Sequence, residues 1–476
     1  MFRSIQWLVL VTAFISGRSA AATQLTKDDI PPNTPQEIRE LIEKTFSENP
    51  QTREAAARQL GELHGQAVVA IPFLMRLSGD LAADEKGIAY RYAARALVTI
   101  GDPALKACIT EAKAIATNPH PVHDSRVIVA LSEFMSSSPE AVEMLGELLN
   151  ARDPEIRRTT AIYLEGCTDT RATMPLLDVV EHGSGETRVF AVGCFKHLRD
   201  PRCVEPLIKI LRGRGAWQEM WNPGLASVVA VALGCQGDRR AVPILLEIVK
   251  VKQAGEMLQH CAARSLGRIG DPSCINQLVD VLSDRDILPG ARSGAALGIA
   301  DFRSVAGQKI DDPQVVPSLA AVLSKKNDWK EVRVAVAQAL GDLGDPRALD
   351  ALCGAAKSDH ADQVGFWAAI NAVKLTDGAI DDLDVLRAIQ DYEEYNEGHG
   401  GYRTERETAL AKLSANGGWR LRIVLGRPTW LTFAVPFVSL LLIGGGVWCF
   451  FWFRLRKSKS AESGVLEPAA DGRIAH

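Results

Sequence analysis

A seven-residue block, LGRIGDP at 266–272, returns almost unchanged as LGDLGDP at 340–346 and in looser form as LVTIGDP at 97–103. Self-similarity at a fixed period constrains a fold more than any local propensity, because it calls for a stack of equivalent small units. With the Asp of each block as a phase mark, marks fall at Asp102, Asp169, Asp200, Asp238, Asp271, Asp312, Asp345 and Asp377. They lie 31–41 residues apart, except for one gap of 67 that holds two units, with SSSPEAVEMLGELL (136–149) at the intermediate turn. A weaker copy, REAAARQLGELHG, runs from Arg53 to Gly65. Roughly ten units of about 30–40 residues therefore cover residues 36–390.

Each unit follows one grammar. Twelve residues before the mark an Arg recurs, as Arg157, Arg188 and Arg333, with Arg53 in register in the first copy. Nine and eight residues before it stand small pairs, Ala93–Ala94, Ala262–Ala263 and Ala368–Ala369. Five before it comes Leu97, Leu164, Leu233, Leu266 or Leu340. These spacings put the small pair and the Leu on one helical face. The Gly-Asp-Pro step is expected to be a hinge: Gly ends one helix in the left-handed conformation, Asp caps the next, and Pro takes its first position. The following helix carries its own apolar stripe, such as Val242, Leu245, Leu246 and Val249, or Leu278, Val279 and Leu282. Helix, turn, helix, loop is the unit of an all-α solenoid. One unit cannot bury both of its faces, so stability comes from stacking neighbours.

The run EVRVAVAQALGDLGDPRALDALCGAAKSD (331–359) and its cousins resemble the HEAT family, most closely its short-repeat branch named after phycobilisome lyases. The resemblance spans about three quarters of the chain. It implies an α-solenoid that binds proteins. Its lyase branch implies, as an alternative, an enzyme or chaperone that handles a chromophore or cofactor. Two units depart from the pattern: 182–214, with Phe195-Lys196-His197-Leu198, and 289–313.

The ends carry a different signal. Residues 1–22 have one early Arg, an apolar stretch from Ile5 to Ile15 and small residues at Ala20–Ala22, the pattern of a secretory signal peptide, with an uncleaved anchor as the alternative. A linker (23–35) leads into the solenoid (36–390). Residues 391–427 read as a loop and a terminal amphipathic juxtamembrane segment. Residues 428–453 hold no charge, carry Trp430, Trp448 and Trp452 near their ends, and have the length of a transmembrane helix. Arg454, Arg456, Lys457 and Lys459 follow at once, so the tail 454–476 is expected in the cytoplasm and the repeats outside. No Asn begins an Asn-x-Ser/Thr acceptor triplet, which favours the periplasmic side of a bacterial envelope over a eukaryotic secretory route.

Outside the two end segments the chain has 47 basic and 55 acidic residues, a formal charge of −8, which is no footprint for nucleic acid. Eight of the nine cysteines fall outside the membrane segment (Cys449 lies within it). Cys194 and Cys261 sit beside small helix-packing positions, so mostly reduced, buried thiols are expected. No phosphate-binding loop, HExxH or GxSxG signature is present. The nearest approach to a ligand cluster, His120, His123 and Asp124, reads as a Pro-rich loop entering a helix, so no metal and no cofactor are expected. Period breaks are the better places to look. RGRGAWQEMWNPG (212–224) holds two Trp on an inter-helix connection, which makes Trp217 and Trp221 candidate partner-binding residues. The insertion DFRSVAGQKID (301–311) ranks second. The sequence thus points to a non-catalytic, membrane-anchored scaffold for a protein partner, with a lyase-like enzyme or an envelope sensor as alternatives.

Overall fold

The computed structural model describes residues 25–79, 89–117, 125–213, 223–359, 362–395 and 403–416. Every regular element among them is helical. The chain divides into two compact units, the first ending at Leu343 and the second beginning at Gly344.

In the first unit α1 (Gln36–Lys44) precedes a run of helix pairs. These are α2 (Pro50–Glu62) with α3 (Ile71–Ser78), α4 (Ala89–Ile100) with α5 (Asp102–Thr117), and α6 (Arg126–Phe134) with α7 (Pro139–Leu148). Next come α8 (Pro154–Tyr163) with α9 (Thr173–His182), α10 (Gly185–Cys194) with α11 (Val204–Arg212), and α12 (Pro223–Gln236) with α13 (Val242–Lys250). The last are α14 (Glu256–Ile269) with α15 (Cys274–Ser283), α16 (Pro289–Ser304) with α17 (Val315–Leu323), and then α18 (Lys330–Leu343). Each first helix packs on the first helices of its neighbours, from α2 through to α18. The helices of the first unit are thus arranged as in an α-solenoid. The small pairs and leucines of the grammar lie on the packed face: Ala93, Ala94, Leu97, Leu164, Leu233, Ala262, Ala263, Leu266 and Leu340 are all fully buried. The second-helix stripes are shifted by a residue in places, with Ile244 and Ile248 buried where Leu246 is only half-covered.

The recurrent Arg closes the seam between units. Its side chain donates to carbonyls at the end of the preceding second helix, which have no partner inside that helix. Arg157 Nη1 bonds the carbonyls of Ala151 (2.7 Å) and Arg152 (2.9 Å). Arg188 Nε bonds Val180 O at 2.7 Å, and Arg333 Nε bonds Leu323 O at 2.9 Å. Arg53 does the same for Ser47 and Glu48. In α14 the register position is Gln259, whose amide nitrogen reaches Val249 O and Val251 O, both at 3.0 Å. In the longer 289–313 unit the role passes to Arg292, which bonds Leu282 O at 2.9 Å.

The hinge differs from expectation in one respect. Gly101, Gly237, Gly270 and Gly344 do adopt positive φ. However, Asp169, Asp200, Asp238 and Asp345 cap a single 3-10 turn rather than the α-helix, which begins four residues after each Asp. The carboxylate accepts the amide of the residue two places on, and Pro, where present, opens that turn. Two marks fail outright. Asp102 already lies in the first turn of α5, and Asp377 (φ 51) precedes Gly378 (φ 84), so there the mark sits in the left-handed end of a helix. An Asp-x-Arg pair that the repeat reading did not single out completes the turn. Arg171, Arg202, Arg240 and Arg347 each grip the carboxylate two residues back with Nε and Nη2. Arg202 Nη2 also bonds Thr170 O of the previous turn (2.9 Å), and Arg240 Nη2 bonds Pro201 O (3.3 Å).

The 289–313 unit departs from the pattern because α16 approaches α14 unusually closely. A Cβ on Gly294 would stand 2.4 Å from His260 O, and one on Gly267 would stand 1.9 Å from Gly298 O. On the other flank of α16, Arg292 meets Asp328 in a two-pronged ion pair (2.6 Å for each bond), with both side chains out of solvent.

In the second unit α19 (Leu349–Ser358), α20 (Gln363–Leu375) and α21 (Leu383–Tyr395) pack together, and α22 (Arg403–Ala415) packs on α20. The expected loop from 391 is therefore corrected: residues 391–395 continue α21, and Arg403–Ala415 is helical. Lys412 Nζ bonds Asp377 Oδ1 at 2.6 Å, which ties α22 to the end of α20. No helix of the described residues is long and apolar enough to cross a membrane. Segments 1–22 and 428–453 lie outside the described residues.

Two outcomes follow. Gly267→Ala is expected to cost ~2–3 kcal/mol in urea unfolding, because backbone must move. Gly354→Ala, on α19 with nothing within 4 Å, is expected to gain ~0.5–1 kcal/mol. A neutral Gly267→Ala would refute the close approach. Asp200 is buried and accepts bonds from Arg202 and from the Thr173 hydroxyl (2.7 Å). The Arg202 bonds hold its pKa down to about 2. Its contribution of ~2 kcal/mol is therefore present above the unfolded value of ~3.9 and is lost as pH falls through about 2. Asp200→Asn should be less stable at neutral pH, with the gap closing in acid. A gap that ignores pH would refute the assignment.

Candidate functional site

Most of the conspicuous polar residues have a structural occupation. The recurrent arginines are bonded to helix-end carbonyls, and the turn arginines to their own Asp. Asp301, at the head of the 301–311 insertion, is buried and accepts bonds from Arg264 Nε (2.7 Å) and Arg268 Nε (2.9 Å) of α14. This anchors the head of the insertion as an extension of α16: Asp301 and Phe302 are buried, and from Arg303 onward most of its residues are exposed. One turn earlier His260 Nδ1 meets Ser293 Oγ at 3.0 Å. Burial first, and the Arg264 charge second, push the His260 pKa below its ordinary value, so the ring is neutral at pH 7.

The described residues contain a groove of about 410 Å³ across α4, α6 and the turn after α8. Arg91 and Arg95 of α4 form one wall, Ser132 and Glu133 of α6 its floor, and Tyr163 and Asp169 the far side, with Tyr90 beside Arg91. Helical periodicity places the two arginines one turn apart on the same face. Arg91 Nε donates to the Tyr90 hydroxyl at 3.1 Å, and Arg95 Nε stands 3.8 Å from Glu133 Oε2. Asp169 is already engaged by Arg171, whose bonds hold its pKa below the usual carboxylate range. Burial pushes the half-buried Tyr163 hydroxyl upward, so it stays a donor at neutral pH. The groove thus presents two cations and phenolic donors around one partly satisfied carboxylate. The repeat grammar gives no hint of it except that Tyr90 replaces the recurrent Arg.

The residues singled out in the sequence fare unequally. Trp217, Trp221, His120, His123 and Asp124 lie outside the described residues. Among the described residues no three His, Cys, Asp or Glu side chains converge as metal ligands. None of the eight described cysteines is paired with another. Burial pushes the thiols of Cys194 and Cys203 up to about 12 and that of Cys274 to about 11, and it raises Cys108 further still.

Two family models match parts of the chain. Residues 289–372 match a family model described as HEAT repeats, and residues 258–284 match one described as PBS lyase HEAT-like repeat. A 56-residue stretch is 38% identical to deoxyhypusine hydroxylase of Bos taurus, covering 12% of this chain and 18% of that protein. A chain from a structure of Kap95p binding to RanGDP aligns at a TM-score of 0.43 and 10% identity, over 86% of this chain and 59% of that one. An engineered protein aligns at a TM-score of 0.28 and 19% identity, over 80% of this chain and all of its own.

Thiols with such high pKa values are poor nucleophiles. At about pH 8 the native protein should leave Cys108, Cys194 and Cys203 unlabelled by N-ethylmaleimide, with labelling only after unfolding. Rapid native modification of Cys194, read by peptide mass, would contradict its burial.

Proposed function

We propose that this HEAT-repeat chain is a non-catalytic interaction scaffold for a protein partner. Residues 428–453 hold it to a membrane, with the repeats on the extracytoplasmic side of a bacterial envelope and residues 454–476 inside. The observation that carries the scaffold reading is the fate of the repeated polar residues: apart from Asp102 and Asp377, the recurrent Arg and Asp are spent on capping a helix or bracing a turn. What is left for recognition is the surface that varies from unit to unit. The groove on α4, α6 and α8 is one such surface, and the connection bearing Trp217 and Trp221, between α11 and α12, is another. Recognition is then spread over side chains from successive units, as repeat arrays permit. The end segments support the topology: a signal-peptide pattern at 1–22 and a cluster of Arg454, Arg456, Lys457 and Lys459 directly after the apolar span. The likeness to deoxyhypusine hydroxylase is shorter than two periods of this array, so it supports shared repeats and lends nothing to hydroxylation.

Cross-linking in native membranes followed by mass spectrometry tests the reading. A defined protein partner should be recovered. The double change Trp217→Ala with Trp221→Ala should weaken its capture about 3–10-fold. Deletion of one period, residues 170–200, should abolish it by shifting the Trp217–Trp221 connection relative to the groove. Recovery of lipids and neighbouring copies alone would overturn the scaffold, and a protease-sensitive array on the cytoplasmic face of sealed vesicles would overturn the topology.

A further inference from the structure

The arginines sort into two classes. Arg53, Arg157, Arg188, Arg292 and Arg333 are committed to helix-end carbonyls, and the turn arginines to their aspartates. In the α4 unit the committed position is occupied by Tyr90, and the cation stands one residue later, at Arg91. Among the described residues Arg91 has no carboxylate at ion-pair distance, only the neutral Tyr90 hydroxyl at 3.1 Å. Arg95, one turn on, has the loose 3.8 Å contact to Glu133 and is well exposed. Like charges at this helical spacing repel each other. The two guanidinium groups therefore sit in a groove of about 410 Å³ without the compensation that the other repeat arginines enjoy. Tyr163, on the opposite wall, makes no hydrogen bond among the described residues and keeps its hydroxyl proton.

The groove crosses the first helices of three consecutive units. At a helix spacing of about 8–10 Å its floor runs about 20 Å, the reach of roughly six extended residues at ~3.3 Å each. A lone ion would leave most of that length empty. The acidic array as a whole disfavours a nucleic acid.

We infer that this groove binds an extended segment of a partner protein through an anionic side chain, a carboxylate or a phosphoryl group. Arg91 and Arg95 grip the anion, with the Tyr90 and Tyr163 hydroxyls donating beside it. Guanidinium suits this task because its planar fork matches two oxygens of either group. The bound anion relieves the Arg91–Arg95 repulsion and takes over Arg95 from Glu133. The inference rests on the scaffold reading for the nature of the ligand, and on the groove alone for its charge.

Fluorescence anisotropy on the full chain in detergent micelles decides it, with labelled eight-residue peptides alternating Ser with Glu, with Gln, or with phosphoserine. The Glu or the phosphoserine peptide should bind at least 10-fold more tightly than the Gln peptide, and whichever does so identifies the group. Arg91→Ala combined with Arg95→Ala should erase that difference, with the helical circular dichroism unchanged. Lys326→Ala, an exposed control, should preserve it. Equal binding of Glu, phosphoserine and Gln peptides overturns the inference, as does an unaltered preference in the double variant. So does tighter binding of an eight-nucleotide single strand, or competition by inorganic phosphate alone that matches the peptides in affinity. Cross-linking separates this from the wider reading. A partner captured equally by wild type and double variant removes the groove and leaves the scaffold. Peptide binding with no protein captured from membranes does the reverse.

Discussion

The whole array depends on satisfying the backbone where one unit ends and the next begins. A helix leaves its last carbonyls without partners, and in a stack of short helices such ends recur every unit, against a packed neighbour. An orphaned buried carbonyl costs about 1–3 kcal/mol, and the cost would multiply with each repeat. Here the first helix of the next unit supplies the missing donor, as Arg157, Arg188 and Arg333 show. The same bond adds a directional contact across the seam wherever the Arg is present. Apolar packing drives the stacking, and the carbonyl-capping side chain removes the cost of the helix ends that the packing covers.

The unit that departs most from the pattern shows what the pattern is for. In α16 the recurrent Arg is displaced along the sequence to Arg292, yet it still reaches the end of the preceding helix at Leu282. It also gains a buried partner in Asp328, whose carboxyl is disfavoured as an anion by burial, but more than compensated by the Arg292 bonds and the Trp329 amide. Removing one side chain of such a pair strands the other charge, so the two act as one element. The glycines facing α14 replace side-chain packing with backbone contact. This unit is built by a different route to the same end, a closed seam on both flanks.

The repeat in the sequence was enough to read the fold, because period, small pairs and leucines are set by packing geometry that recurs unit after unit. The spacing alone puts Leu266 and Ala262–Ala263 on one helical face, and that face is buried. The exact role of Asp was not legible: cap of a 3-10 turn and cap of an α-helix demand the same residue two places before the same amide. Nor was the Asp-x-Arg brace, since an Arg two residues after an Asp looks like surface charge until its fork is seen closing on the carboxylate. The groove was hidden for the opposite reason. Arg91, Arg95, Glu133 and Tyr163 come from three units, and nothing periodic links them. Trp217 and Trp221 stood out as a break in period, which is a statement about the frame and carries no geometry of its own.

The Gln259 seam gives the array an uneven compliance. At that junction the two carbonyl bonds come from a neutral amide whose own oxygen, Oε1, is buried without a hydrogen bond, whereas the following seam is closed by the charged guanidinium of Arg292. On its other side α14 is locked to α16 by the tightest backbone contact described. A neutral closure thus sits directly before a close backbone approach. The polar closure between α13 and α14 is therefore weaker than the one between α15 and α16, where a guanidinium does the same task. Seams closed with unequal strength let a long recognition surface change its curvature at some junctions more readily than at others, without loosening the units that form it.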